Sequence, residues 1–568
     1  MIKTTIEQAP RYETLSYVWG KDGRSEVLTL KDGKFLSITK LLQDALPFVE
    51  RECQRFSTRY LWVDQICIDQ DDRNERSHQV KLMGQIYTSC FRVLVWPGRM
   101  TKFDAELFST EDLERANHQR TCSSQKKSTM EHIVHHLRKV ARPSGSFTGS
   151  SRLEMLQSKW FHRAWVFQEI VLPQSAQFIL TTMSTLPHQA RTISLSELHK
   201  KVKGIDGAGA VADTIRMMYQ EQRRHNDRLY SPIEQTLSHL APRAKVSEQL
   251  DRLYAFFGLN FDAGINLTPS YDSPLEVAMM DTATSIIEGT CSLDIFEVIP
   301  RAVENTKRKA KIPTWTPDFR EEHLVMPFKR SNTKFRQRAQ SSPDLYPQFI
   351  TSYITYYRGT IYCAGEEKRM IQAHGFVLDY IETEIGALSS RTIFRTGFDS
   401  LLGRCVKAWN NIKWRVENKV SSAIKHPRDG TGLAESTIYL GFAPIPTEKR
   451  LRQALIAEGC CALSYEHLPP YPSNSTETVS LEEHIRMQVM HGRTLWMTRS
   501  GRFALGSYLR CGDRICLAYG CSNPIALRGE KVTKVLGTCF LEEWMDPWSN
   551  GNIERAEEEF SSTVFHMI

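Results

Sequence analysis

Glu169 is the residue in this chain with the most chemistry to offer. It lies in Phe161–Leu172, a run that is apolar almost all round and reads as a buried helix. A carboxylate there costs several kcal/mol unless it is paired or keeps its proton. His162 is seven residues earlier and would share the helix face. Arg163 is six residues away, a rotation of roughly 240°, and would not. One reading is therefore a buried ion pair with an arginine from elsewhere, such as Arg76 or Arg92. The other leaves Glu169 as a working carboxylate.

A second group is acidic. Asp64, Asp69, Asp71 and Asp72 follow the apolar run Tyr60–Val63. They could offer oxygen ligands to Mg²⁺ or Ca²⁺, but the order and glycine of a calcium loop are missing, so no metal site is expected. Asp71 or Asp72 is better placed to cap a helix starting at Arg73, with Glu75 in its first turn. Asp64 ends a strand, where a ligand would be met. Cys67 could be a nucleophile if His78 or His162 activated it, but a buried thiol beside Ile66 and Ile68 is the commoner outcome. Trp19 and Trp96 could stack on a base or simply fill the core. No phosphate-binding GxxxxGK[ST] loop is present. The glycines from Gly204 to Gly209 lack the dinucleotide spacing and a preceding strand.

These residues need a scaffold. Strand-like runs at 12–18, 60–63, 92–96 and 176–180 alternate with helical patterns, which predicts a parallel α/β sheet. Asp32-Gly33 between apolar runs marks a hairpin. Thr39 is placed to cap a helix running to about Cys53. In such sheets ligands bind at the carboxyl ends of strands. Trp19-Gly20, Asp64-Gln65 and Pro97-Gly98 end three strands and gather there. Residues 101–151 read as a surface insertion with one helix near Glu131–Val140. Residues 185–290 look helical, with Asp251-Arg252 opening a buried helix that Gly258 caps. Residues 312–319 should form an ordered extended loop, and 397–420 a helix. Short strands at 494–498, 515–519, 524–527 and 532–540 suggest a small β-rich module. The expected domains are 10–183, a helical region at 184–300, and a mixed α+β region at 301–568 with its β-rich module at about 490–545.

The totals set bounds. At 568 residues the chain is too long for one core. A net charge of +8 is mild for that length and gives no case for nucleic acid. The basic stretch with Lys329, Arg330, Lys334, Arg336 and Arg338 reads as a surface loop. No run approaches the roughly 18 apolar residues of a membrane helix, and the first residues lack a secretory pattern. Thirteen scattered cysteines, without zinc spacing, read as reduced thiols in a cytoplasmic protein.

Three stretches carry a resemblance. Tyr12–Gly20 (YETLSYVWG), Leu61–Gly98 (LWVDQICIDQ…ER…QV..M..IY…VLVWPG) and Trp160–Ile170 (WFHRAWVFQEI) resemble, in order, the signatures of the fungal heterokaryon incompatibility (HET) domain. Weaker likeness continues at 251–259, 313–318 and 512–517. Asp69 departs from the family's usual Asn. The resemblance implies non-self recognition and programmed cell death after fusion of incompatible hyphae. It also implies a TIR/flavodoxin-like doubly wound fold, because HET domains are remotely similar to TIR domains. Some TIR domains hydrolyse NAD with a glutamate on a helix, and Glu169 stands in the matching place. By that analogy Glu169 is the expected catalytic residue, a carboxylate that binds a ribose hydroxyl and stabilises an oxocarbenium-like transition state. Trp19, Gly20, Asp64, Gln65, Trp96, Gly98, Arg163 and Trp165 are the expected substrate-binding residues. No cofactor is expected, and NAD would be substrate. Protein partners and self-association are expected. The alternative is a non-enzymatic module acting by homotypic assembly.

Overall fold

The computed structural model describes residues 2–99, 158–299, 312–320, 354–425, 442–456, 493–545 and 552–568, with short breaks inside these ranges. The expected insertion at 101–151 and the basic stretch around 329–338 lie outside the described residues. The chain divides into two compact units, one of residues 1–230 with 244–247 and 254–260, the other holding the remainder.

The first unit is built on a five-stranded sheet. Its strands are β1 (Tyr12–Tyr17), β4 (Tyr60–Trp62), β5 (Val93–Trp96), β6 (Ala176–Leu180) and β7 (Arg191–Ser194). The order is β4-β1-β5-β6-β7, parallel except for β7. From β1 the chain steps to β4 on one side, then crosses back to add β5 and β6 on the other. The connections after β1 and β5 therefore diverge, which makes the crevice beyond their carboxyl ends the place where such sheets take ligands.

Alternation along β1 sets the two faces. Leu15 and Tyr17 pack with α1 (Lys40–Arg55), whose Leu42, Ala45, Phe48 and Val49 share a core with Val63, Leu94, Trp96 and Ile179. Each Leu, Val, Ile or Phe among them contributes about 1.5–3 kcal/mol on burial. Tyr12, Thr14 and Ser16 face the other way. There the Tyr12 hydroxyl donates to the Ile86 carbonyl on α3 (Arg73–Ser89) at 2.6 Å, and Ser16 meets α4 (Trp165–Val171). Thr39 caps α1 through the Leu42 N–H, and Asp72 caps α3 through the N–H groups of Asn74 and Glu75. The expected hairpin is β2 (Glu26–Thr29) with β3 (Phe35–Ile38), joined through Gly33 at φ +80°.

Two expectations for 185–290 are corrected. Residues 191–194 are a strand, held by antiparallel pairing to β6 that helical periodicity could not reveal. The helix at Asp251 ends after one turn, at Tyr254. Gly258 is not its cap. Its backbone lies against Gly84 of α3, where a Cβ would fall 2.9 Å from the Gly84 Cα.

The second unit centres on a nine-stranded sheet, larger than the small module expected. Its spine is β9 (Glu366–Ala387), which pairs antiparallel with β8 (Ile354–Cys363), β10 (Thr494–Thr498), β12 (Arg514–Ala518) and β16 (Ser562–Met567). A strand of 22 residues is several times the usual length. The helix Ser390–Lys425 packs Leu401, Cys405, Trp409 and Ile412 against Leu495, Met497 and Phe503.

Candidate active site

The segment carrying Glu169 is not one helix. Lys159–His162 is a tight 3₁₀ turn, Arg163 is extended at φ −76° and ψ 139°, and α4 begins at Trp165. Arg163 pairs with Lys245 as an isolated parallel bridge, and the Lys245 N–H donates to the His162 carbonyl at 2.6 Å. The helical-wheel expectation therefore fails for both neighbours. His162 is off the Glu169 face, and burial, with Lys245 adding to it, lowers its pKa. Arg163 is free of the wheel, and its guanidinium donates to the Tyr17 carbonyl at the end of β1.

Glu169 is 2% exposed. Its Oε2 accepts from the Ser16 hydroxyl, and the Ser16 oxygen accepts from the Trp160 indole at 2.8 Å. Burial pushes the Glu169 pKa up to about 7, with the Asp64 charge adding to the rise, while Arg163 and the Ser16 hydrogen bond hold it down. Arg92, an expected partner, is engaged elsewhere. It donates to Glu13 Oε1 at 2.7 Å.

Asp64 joins the same cluster. Its Oδ2 accepts from the Trp19 indole at 2.9 Å and its Oδ1 from the Gln65 N–H at 2.7 Å. Enclosure raises its pKa, and Arg163 opposes the rise. Asp64 and Trp19 keep partial solvent access while Glu169 does not. The buried Tyr17 hydroxyl has no well-formed hydrogen bond, and burial beside Asp64 drives its pKa upward.

Ser16, Tyr17, Trp19, Asp64, Trp160, Arg163 and Glu169 thus converge at the carboxyl ends of β1 and β4. Ser16, Tyr17 and Trp160 were not among the expected site residues. The available signal was Ser16 itself, a polar residue in a strand covered on both faces.

The other expected residues sit differently. Gln65 accepts from the Thr39 N–H at 2.9 Å and ties the β4 end to the start of α1. The Trp96 indole donates to Thr181 at 3.2 Å within the core. Gly20 and Gly98 both take left-handed backbone, φ +84° and +107°, which turns the chain off β1 and β5. Trp165 is half-buried at the start of α4. Asp69 accepts from the Asp71 N–H at 3.0 Å, a role an Asn oxygen would fill equally. Asp71 pairs with Arg24 at the surface. Cys67 ends a helical turn, Asp64–Cys67, and burial raises its thiol pKa, against a nucleophile's needs. Among the described residues no group of three or more His, Cys, Asp or Glu could hold a metal ion.

Next to Glu169, Gln168 locks α4. Its amide nitrogen donates to the Ala255 carbonyl at 3.0 Å and its oxygen accepts from the Gly84 N–H at 2.9 Å. The close approach of Gly84 and Gly258 leaves this amide its place.

Residues 12–169 match the family model described as heterokaryon incompatibility protein (HET). The chain is 25% identical over 428 residues to heterokaryon incompatibility protein 6, OR allele, of Neurospora crassa, an alignment covering 64% of this chain and 62% of that protein. It is 23% identical over 172 residues to vegetative incompatibility protein HET-E-1 of Podospora anserina, covering 30% of this chain and 10% of that one. The chain thus spans less than two thirds of either relative. No solved structure matches it. Among the described residues no helix is long and apolar enough to cross a membrane. The matched segment begins with β1 and ends at Glu169, so it contains every residue of the cluster, and over that segment the chain is similar to fungal heterokaryon incompatibility proteins.

Proposed function

We infer that this chain acts in fungal heterokaryon incompatibility, and that its N-terminal unit is a death-promoting effector that hydrolyses NAD. The supporting observation is Glu169, a buried carboxylate with a raised pKa, near Asp64 and Arg163 by the carboxyl ends of β1 and β4. In this reaction the bond from ribose C1′ to the nicotinamide nitrogen breaks, and its electron pair leaves with neutral nicotinamide. Water adds to the cationic sugar and releases a proton, giving ADP-ribose. Ionised Glu169 stabilises the positive charge that develops on the sugar. Asp64, steadied by the Trp19 indole, receives a ribose hydroxyl, and Arg163 keeps the two carboxylates from repelling one another.

One observation favours a second reading. Glu169 is enclosed, with its Oε2 taken by Ser16, as a structural carboxylate would be. In that case the N-terminal unit works through protein contacts alone. Nicotinamide release by the full chain, beside Glu169→Gln, separates the two. Release by the wild type that falls at least 100-fold in a folded variant supports hydrolysis. An inactive wild type that still kills cells on expression assigns the function to protein contact.

A further inference from the structure

We propose that the first unit carries a second binding site, for a phosphorylated sugar, in the cleft between the last turn of α1 and the segment entering β7. The cleft has a volume of about 520 Å³, within the range of small-molecule sites. It is lined by Arg51, Glu52, Arg55, His188 and Arg191 among others, and shares no residue with the Glu169 cluster. Arginine forks suit phosphate oxygens, which they grip in pairs.

Glu52 makes the site more specific than a basic surface. Its side chain is 1% exposed, while its partner Arg55 is 51% exposed and leads outward. Glu52 Oε1 takes the Arg55 guanidinium at 2.8 Å, and Arg92 goes to the Glu52 backbone carbonyl at 3.2 Å. Oε2 is buried with no hydrogen-bond partner. An acceptor left in that state is costly unless a donor reaches it. A ligand that carries both oxygen acceptors for arginine and a donor for Glu52 suits this lining. A phosphate joined to a hydroxylated ring has both. Sulfate would satisfy the arginines alone, and a neutral sugar Glu52 alone.

Calorimetric titration of the full chain with ribose 5-phosphate, sulfate and ribose tests this. Ribose 5-phosphate is expected to saturate one site at least tenfold more tightly than sulfate, with ribose weaker still. Glu52→Gln should erase the preference over sulfate. The exposed pair Arg51→Ala/Arg191→Ala, which does not touch the core, should weaken ribose 5-phosphate at least tenfold. Glu169→Gln should bind like the wild type. Absence of saturable binding, equal affinity for sulfate, or binding lost in Glu169→Gln but kept in the arginine pair would overturn the proposal.

Discussion

At the amino ends of the N-terminal sheet, Glu13 is buried and fully answered. Arg92 donates to it at 2.7 Å, the Cys53 thiol at 2.7 Å, and Arg92 in turn lies over the Phe56 ring. At the carboxyl ends, Glu169 is equally buried, yet its one hydrogen bond comes from a neutral serine and its cation, Arg163, is spent on the Tyr17 carbonyl and shared with Asp64. The same sheet thus neutralises one carboxylate and leaves the other close to giving up its charge. Neutralised pairs hold a fold together, whereas a carboxylate with a pKa near neutrality is suited to exchanging a proton or stabilising a cation.

The largest effect expected from breaking this contrast is at the amino end. Arg92→Met strips Glu13 of its cation and should cost about 3–5 kcal/mol, read from the urea midpoint. A loss below about 1 kcal/mol would mean that the pair is not a structural device. Next comes the support of α4. Gly258→Ala places a methyl against Gly84 and the Gln168 amide and should cost about 1–3 kcal/mol. It should also lower nicotinamide release more than the stability loss explains, because α4 aims Glu169. Unchanged release in that variant would separate the glycine contact from the site. The smallest is Asp72→Ala at the cap of α3, expected to cost about 1 kcal/mol without touching turnover. An effect of Asp72→Ala on turnover would extend the site into the acidic loop.

Much of this was legible in local chemistry. The caps at Thr39 and Asp72, the four parallel strands, and the nearness of Trp19 to Asp64 all follow from residue type and spacing. What escaped depended on contacts distant in sequence. Arg163 left the helical wheel because Lys245 holds that stretch extended. Gly258 looked like a helix end, but its purpose is set by Gly84, far away along the chain. Arg92 was a plausible partner for Glu169 until the register of β1 placed Glu13 beside it. The strand β9 was missed because its pairing partners lie before it, at 354–363, and more than a hundred residues after it.

The most direct measurement compares the unfolding free energy of wild type and Glu169→Gln from pH 4 to 8.5. The folded pKa of Glu169 is raised from 4.5 to about 7. The native state therefore holds this proton more tightly than the unfolded chain. That contribution is complete below about pH 4.5 and is lost as pH rises through about 7. The wild type should lose about 3 kcal/mol relative to the variant across that window, an order-of-magnitude figure from the size of the shift. Asp64, whose pKa is also raised, is present in both proteins, so the difference between the curves reads Glu169 together with its coupling to Asp64. Parallel curves would contradict the contrast drawn here, because Glu169 would then be as well neutralised as Glu13.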